Sequence, residues 1–177
     1  MNTTSTADIP PKAGRYLLAS RLGDGQFGPI YRAIDLDSGQ TAAVQFPGKG
    51  RRWDAAELRA VLEDCGELLK LRHQSVVALL EAGVEEGTLY LVSEFASGVS
   101  LSTALQAGPT LTVEKKLSIL IQCSEALAIA HGRGFVHGSF SPSKVSLTPD
   151  GSACVRQIGF CRLLSRYASR PRWSTAR

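Results

Sequence analysis

"GDGQFGPIY" (residues 23–31) and "AAVQF" (residues 42–46) decide how this chain folds. The first stretch sets Gly23, Gly25 and Gly28 around a turn, "DGQF", between two runs that alternate apolar and polar residues, "RYLLASRLG" (15–23) and "PIYRAIDL" (29–36). The second lies inside a third such run, "TAAVQFP" (41–47), reached through "DSGQ". Alternation with period two, punctuated by glycine, predicts three antiparallel strands. After the loop "PGKGRR", Asp54 and Glu57 have the spacing of a capping box, so a helix should start there. Its buried stripe is expected to be Leu58, Val61, Leu62, Cys65, Leu68 and Leu69. "SVVALLEAGVEEGTLYLVSEFAS" (75–97) predicts two more strands hinged at "EEG".

Farther on, "LSTALQAG" (101–108) is a short helix ended by glycine. Thr112 is placed to cap a longer one whose stripe is Val113, Leu117, Leu120, Ile121, Ser124, Leu127, Ala128 and His131, stopped by Gly132 and Gly134. "FVHGSF", "KVSLT" and "CVRQIGF" predict short strands or loop, with "PDG" a turn, and no element is expected after Leu164. Five strands with one helix inserted after the third, then helices and a small hairpin, make an α+β class.

No apolar run approaches the roughly 20 residues needed to cross a bilayer. The opening "MNTTSTADIPPKAG" (1–14) has neither the charged nor the apolar region of a secretory signal and is expected to be a disordered leader, with the cytoplasm as compartment. Cys65, Cys123, Cys154 and Cys161 form no C-x-x-C pair, which speaks against a metal site and for buried free thiols. From Gly151 onward there are six arginines and no acid; since the whole chain carries +4, residues 1 to 150 carry −2. Such an Arg-rich end suits an acidic protein surface or anionic lipid, or is simply a solvated, disordered charge run, while the aromatic interleaving of specific nucleic-acid recognition is missing.

The glycine stretch and "AAVQF", followed by "LLKLRHQSVVALLEAGVEEGTLYLVSEFASGVSL" (68–101), "ALAIAHGRGFVHGSFSPSKVSL" (126–147) and "VRQIGF" (155–160), resemble the eukaryotic-type Ser/Thr protein kinase family, in order and spacing over about 150 residues. The resemblance implies a leader at 1–14, a protein-kinase-like N-lobe at 15–96 (a five-stranded antiparallel sheet plus one helix), a partial helical C-lobe at 97–164 and a basic tail at 165–177. It also implies a C-terminally truncated domain.

On this frame the family's phosphate-gripping strand lysine falls on Gln45, and its glutamate partner on Asp64. The catalytic-loop aspartate falls on Ser139, the loop lysine on Ser141, the metal-holding asparagine on Lys144 and the D-F-G aspartate on Gly159. Phosphoryl transfer depends on positioning and charge neutralisation. An unassisted serine is no base near neutral pH, and Gly159 has no side chain with which to ligate a metal. The resemblance therefore implies a degenerate, catalytically inactive pseudokinase acting as a protein-binding or regulatory module. The alternative is a nucleotide-binding protein with weak or atypical Ser/Thr phosphotransferase activity. No cofactor and no metal are expected. The one ligand the frame still allows is ATP without magnesium, through Gly23, Gly25, Gly28, Ile30, Ala43, Glu94 and Ala96, above a floor at Ser146. His137, Phe160 and Leu68 match the family's internal hydrophobic stack. The 113–131 helix, apolar on more than one side, is expected to carry a protein partner or self-association.

Overall fold

The structure, a computed structural model, describes residues 12–48, 53–108 and 111–165. The expected tail arginines Arg166, Arg170, Arg172 and Arg177 and most of the leader lie outside these residues. The leader and sheet boundaries need correction. Lys12–Ala13 form β1, pairing with β2 (Tyr16–Gly25), so the sheet has six strands rather than five. Gly14, with φ +56, makes the tight turn between them, and Ala13 is fully buried.

The remaining strands are β3 (Gly28–Asp35), β4 (Thr41–Gln45), β5 (Leu79–Glu85) and β6 (Thr88–Glu94), in the spatial order β1-β2-β3-β4-β6-β5, all pairs antiparallel. Alternation along β6 sends side chains to two cores, because successive strand residues point to opposite faces. Tyr90 and Val92 join Tyr16, Val44 and Phe46. Leu89 and Leu91 join Val61, Cys65 and Leu68 of α1 (Ala55–Leu68). The same alternation buries Ala42 and Val44 of β4 and turns Ala43 and Gln45 toward a cleft.

The capping box is present: Asp54 Oδ1 accepts from the Glu57 amide at 2.7 Å, and Glu57 Oε2 accepts from the Asp54 amide at 3.1 Å. Replacing Asp54 with Ala is expected to cost about 1 kcal/mol. A calorimetric melt should then fall by roughly 2–4 °C in a chain of this size.

A second sheet, β7-β8-β9, holds β7 (Val99–Ser100), β8 (Val145–Leu147) and β9 (Ala153–Val155). The short helix α2 (Leu101–Gln106) follows β7 directly. Val155 donates its amide to Ser75 O at 2.8 Å and accepts from the Val77 amide at 2.9 Å, tying the segment before β5 to β9. The long helix α3 (Val113–Gly132) starts at Thr112 as expected, but its buried face differs from the expected stripe. Ile119, Cys123, Ala126 and Ala130 are buried, with Val145, Ala153, Val155 and Ile158 in the same core. Small residues let α3 approach the short sheet closely, and its larger ones are left outside. Leu120 is 62% exposed and Ile121 58%, with Val113 and Leu117 beside them on the open side.

The chain does not stop forming structure in the "CVRQIGF" run. Phe160–Ser165 form α4, which takes in Ser165, placed in the tail from sequence. Phe160, Leu163 and Leu164 share the α1 core. No helix among the described residues is long and apolar enough to cross a membrane. All four cysteines are free. Only Cys65 and Cys123 are buried, and burial pushes the Cys65 thiol up to about 12, making it a packing group rather than a nucleophile.

Candidate functional site

A cleft of about 510 Å³ opens between the glycine-turn side of the six-stranded sheet and the segment that leads into β8. Most of the residues singled out from sequence meet here. Gly23, Gly25, Ile30, Ala43 and Gln45 come from the sheet, Glu94 and Ala96 from the connection after β6, and Ser139, Ser141 and Lys144 from the opposite wall. Gly28, Asp64, Gly159 and Ser146 do not line it. A Cβ on Gly28 would stand 2.1 Å from the Phe46 carbonyl oxygen, so packing of the backbone requires that glycine. Ser146 is buried in β8 between Ser100 and Cys154.

Asp64 and Gly159 instead share a second hollow of about 370 Å³ with Glu63, Glu67, Arg133 and Arg162. The cause is α4, whose Leu163 and Leu164 fill the core against Val61, Cys65 and Leu68. Gly159 sits at φ +79, and a Cβ there would lie 2.7 Å from Leu68 Cδ2. A side chain there would be strained at this φ and would have to displace the Leu68 tip.

Gln45 finds an uncharged partner across the cleft. Its Oε1 accepts from Gln157 Nε2 at 2.7 Å, and its Nε2 donates to Gly28 O at 3.4 Å. Gln157 Oε1 in turn accepts from Lys144 Nζ. Gln157 reaches inward because its backbone is left-handed, φ +59, a conformation rare for a residue with a side chain. It went unrecognised in the sequence, where no turn signature marks it.

Arg156, one of the six arginines of the Arg-rich end, is likewise unmarked in the sequence as a cleft residue. It lines the cleft, donates from Nη2 to Ser143 O, and has its Nε buried with no hydrogen-bond partner. Arg162, another of those six, belongs to α4. Burial holds the Arg156 guanidinium below its usual range. Burial, and then the Arg156 charge, pull the Lys144 ammonium down, and that ammonium lies 5.9 Å from the Phe27 ring centre. Ser139 Oγ and His137 Nε2 are buried without partners. His137 stands beside the cleft as a buried ring whose Nδ1 accepts from the Ser139 amide at 3.4 Å, and burial lowers its pKa, favouring the neutral form. Leu68, Phe160 and His137, the expected stack, are all buried.

The cleft's two carboxylates are engaged elsewhere: Asp24 pairs with Arg21, and Glu94 Oε2 accepts from the Ala78 amide at 3.0 Å. Among the described residues no group of three or more His, Cys, Asp or Glu side chains is placed to hold a metal ion. With cations at Lys144 and Arg156, these residues do not fit a magnesium–nucleotide site.

Residues 16–170 match the protein kinase domain family. The chain is similar to CBL-interacting protein kinase 4 of Oryza sativa subsp. japonica, 31% identical over 156 residues that cover 86% of this chain and 34% of that protein. It is also similar to serine/threonine-protein kinase PknA of Mycobacterium tuberculosis, 26% identical over 155 residues, 85% of this chain and 36% of that one. It thus spans about a third of the length of these relatives. Among solved structures, the kinase domain of Mycobacterium tuberculosis PknI, crystallised as a double mutant, shares the fold with a TM-score of 0.73. Its sequence identity is 22%, and the match covers 91% of this chain and 64% of that one.

Proposed function

The chain belongs to the protein kinase domain family, and from that premise we propose that it is a catalytically inactive kinase-like domain serving as a protein-binding or regulatory module. One observation carries the reading: the end of the cleft where phosphoryl transfer would occur holds two cations, Lys144 and Arg156, and Ser139 in place of a base. General-base action alone is worth about 10²–10⁴ in rate. The clamping of phosphate charge by a divalent ion is a further contribution that this set of side chains does not support. The Gln45–Gln157 link supports the reading as well, because it joins the two sides of the cleft without the charge that would grip a phosphate.

The surface offered to a partner, or to a second copy, is the open side of α3, where Val113, Leu117, Leu120 and Ile121 form an apolar stripe. The arginines beyond Ser165 would add attraction to an acidic partner. Four free thiols agree with a reducing compartment such as the cytoplasm. A second reading, weak or atypical Ser/Thr phosphotransferase activity, draws on the open cleft with its apolar Ile30, Ala43 and Val77.

Labelled ATP, with Mg²⁺ or Mn²⁺ and a generic protein substrate, separates the two. Transfer is expected to match a heat-killed control. Robust transfer above that control would replace the first reading with the second.

A further inference from the structure

We infer that the open side of α3 is a contact between two copies of this chain, which pair along that helix in antiparallel fashion. This rests on the reading above of a protein-binding module and names its partner as a second copy.

Helix α3 carries its large apolar residues outward. Its inward side is mostly small, Cys123, Ala126 and Ala130 beside Ile119. Two long polar side chains also turn toward the short sheet: Lys115 Nζ donates to Gly151 O, and Gln122 Oε1 accepts from the Ala153 amide at 2.6 Å. On the opposite side Val113, Leu117, Leu120 and Ile121 are each more than half exposed. Ser124, Ala128 and His131 continue the same side at helical spacing, and all three are exposed. The seam is therefore bulky in its first half and small in its second.

That asymmetry selects the occupant. A parallel copy would set Leu117 on Leu117 and Ala128 on Ala128, crowding one half and leaving gaps in the other. A copy turned end for end, about a two-fold axis between Gln122 and Cys123, sets Leu117 over Ala128 and Ile121 over Ser124, each large side chain over a small one. Charge favours the same direction. Glu114 lies in the first turn and His131 in the last. Antiparallel pairing brings each alongside the other, whereas parallel pairing sets acid on acid. Ser124 is already prepared for a dry seam, since its Oγ donates to Leu120 O at 2.8 Å and needs no water.

The test is sedimentation equilibrium of the full chain at micromolar to submillimolar concentration, for the parent, Ile121→Ser, Ser124→Ile and the double exchange. The parent is expected to show a monomer–dimer equilibrium. Ile121→Ser leaves small over small and Ser124→Ile large over large, so each should weaken the dimer by about tenfold or more. The double exchange puts large over small again and should return the affinity to within about threefold of the parent's. Both positions are exposed, and a melt close to the parent's shows that each variant folds. The proposal is overturned if the parent stays monomeric throughout, if Ser124→Ile strengthens the dimer, or if the double exchange stays as weak as the single ones. The first of these uses the unaltered chain, so it decides whatever the variants do. A monomeric parent leaves the protein-binding reading in place with a different partner. Phosphate transfer above the heat-killed control would overturn the inactive reading and leave the dimer untouched.

Discussion

Gly28→Ala is expected to destabilise the protein by about 3 kcal/mol or more. Gly28 begins β3 opposite Gly25, at φ +127, where the backbone of a residue with a side chain is strained. The new methyl would meet the Phe46 carbonyl oxygen at 2.1 Å. That oxygen belongs to main chain fixed by the Phe46 amide, which donates to Pro29 O at 3.1 Å, so the clash cannot be relieved by turning a rotamer. The midpoint of thermal unfolding should fall by roughly 6–12 °C. Gly66→Ala is the control. Gly66 lies inside α1 with open space around its missing Cβ, and the change should raise stability by about 0.5–1 kcal/mol. A Gly28→Ala protein that melts like the parent would mean that the glycine turn is not seated on Phe46.

Phe160→Ala should be of similar size or larger, about 3–5 kcal/mol. Phe160 is 5% exposed at the start of α4 and belongs to the core that holds α1, β5 and β6. Its ring lies 6.4 Å from that of Phe27 in the glycine turn, so one side chain links the turn, the sheet and the last helix. Denaturant titration would show the loss as a lower midpoint. A loss below about 1 kcal/mol would show that α4 contributes little to the α1 core.

These two sites illustrate what the sequence made legible. Strands β3 and β4 could be read because each has one buried face, so alternation survives in the residue order, whereas β2, buried only at Tyr16, was legible mainly from the glycine turn that ends it. The α1 start could be read because Asp54 and Glu57 satisfy each other locally. The buried face of α3 could not, since burial there is decided by how closely β8 and β9 approach, which favours Cys123 and Ala126 over the larger Leu120 and Ile121. Helix α4 did leave a signal, Phe160, Leu163 and Leu164 at helical spacing, but Phe160 had been assigned to the preceding strand. In the cleft, the residues singled out by the resemblance were visible one by one, including Gln45 and Lys144. Their mutual arrangement was not. Arg156 looked like the first of a solvated charge run, and Gln157 turns inward only because of a left-handed backbone.

The bond between Gln45 and Gln157 sets how the mouth of this molecule responds to its solution. Two carboxamides have no net charge to be shielded by electrolyte and no proton to lose across the physiological range. Raising potassium chloride should therefore leave the separation of the jaws unchanged.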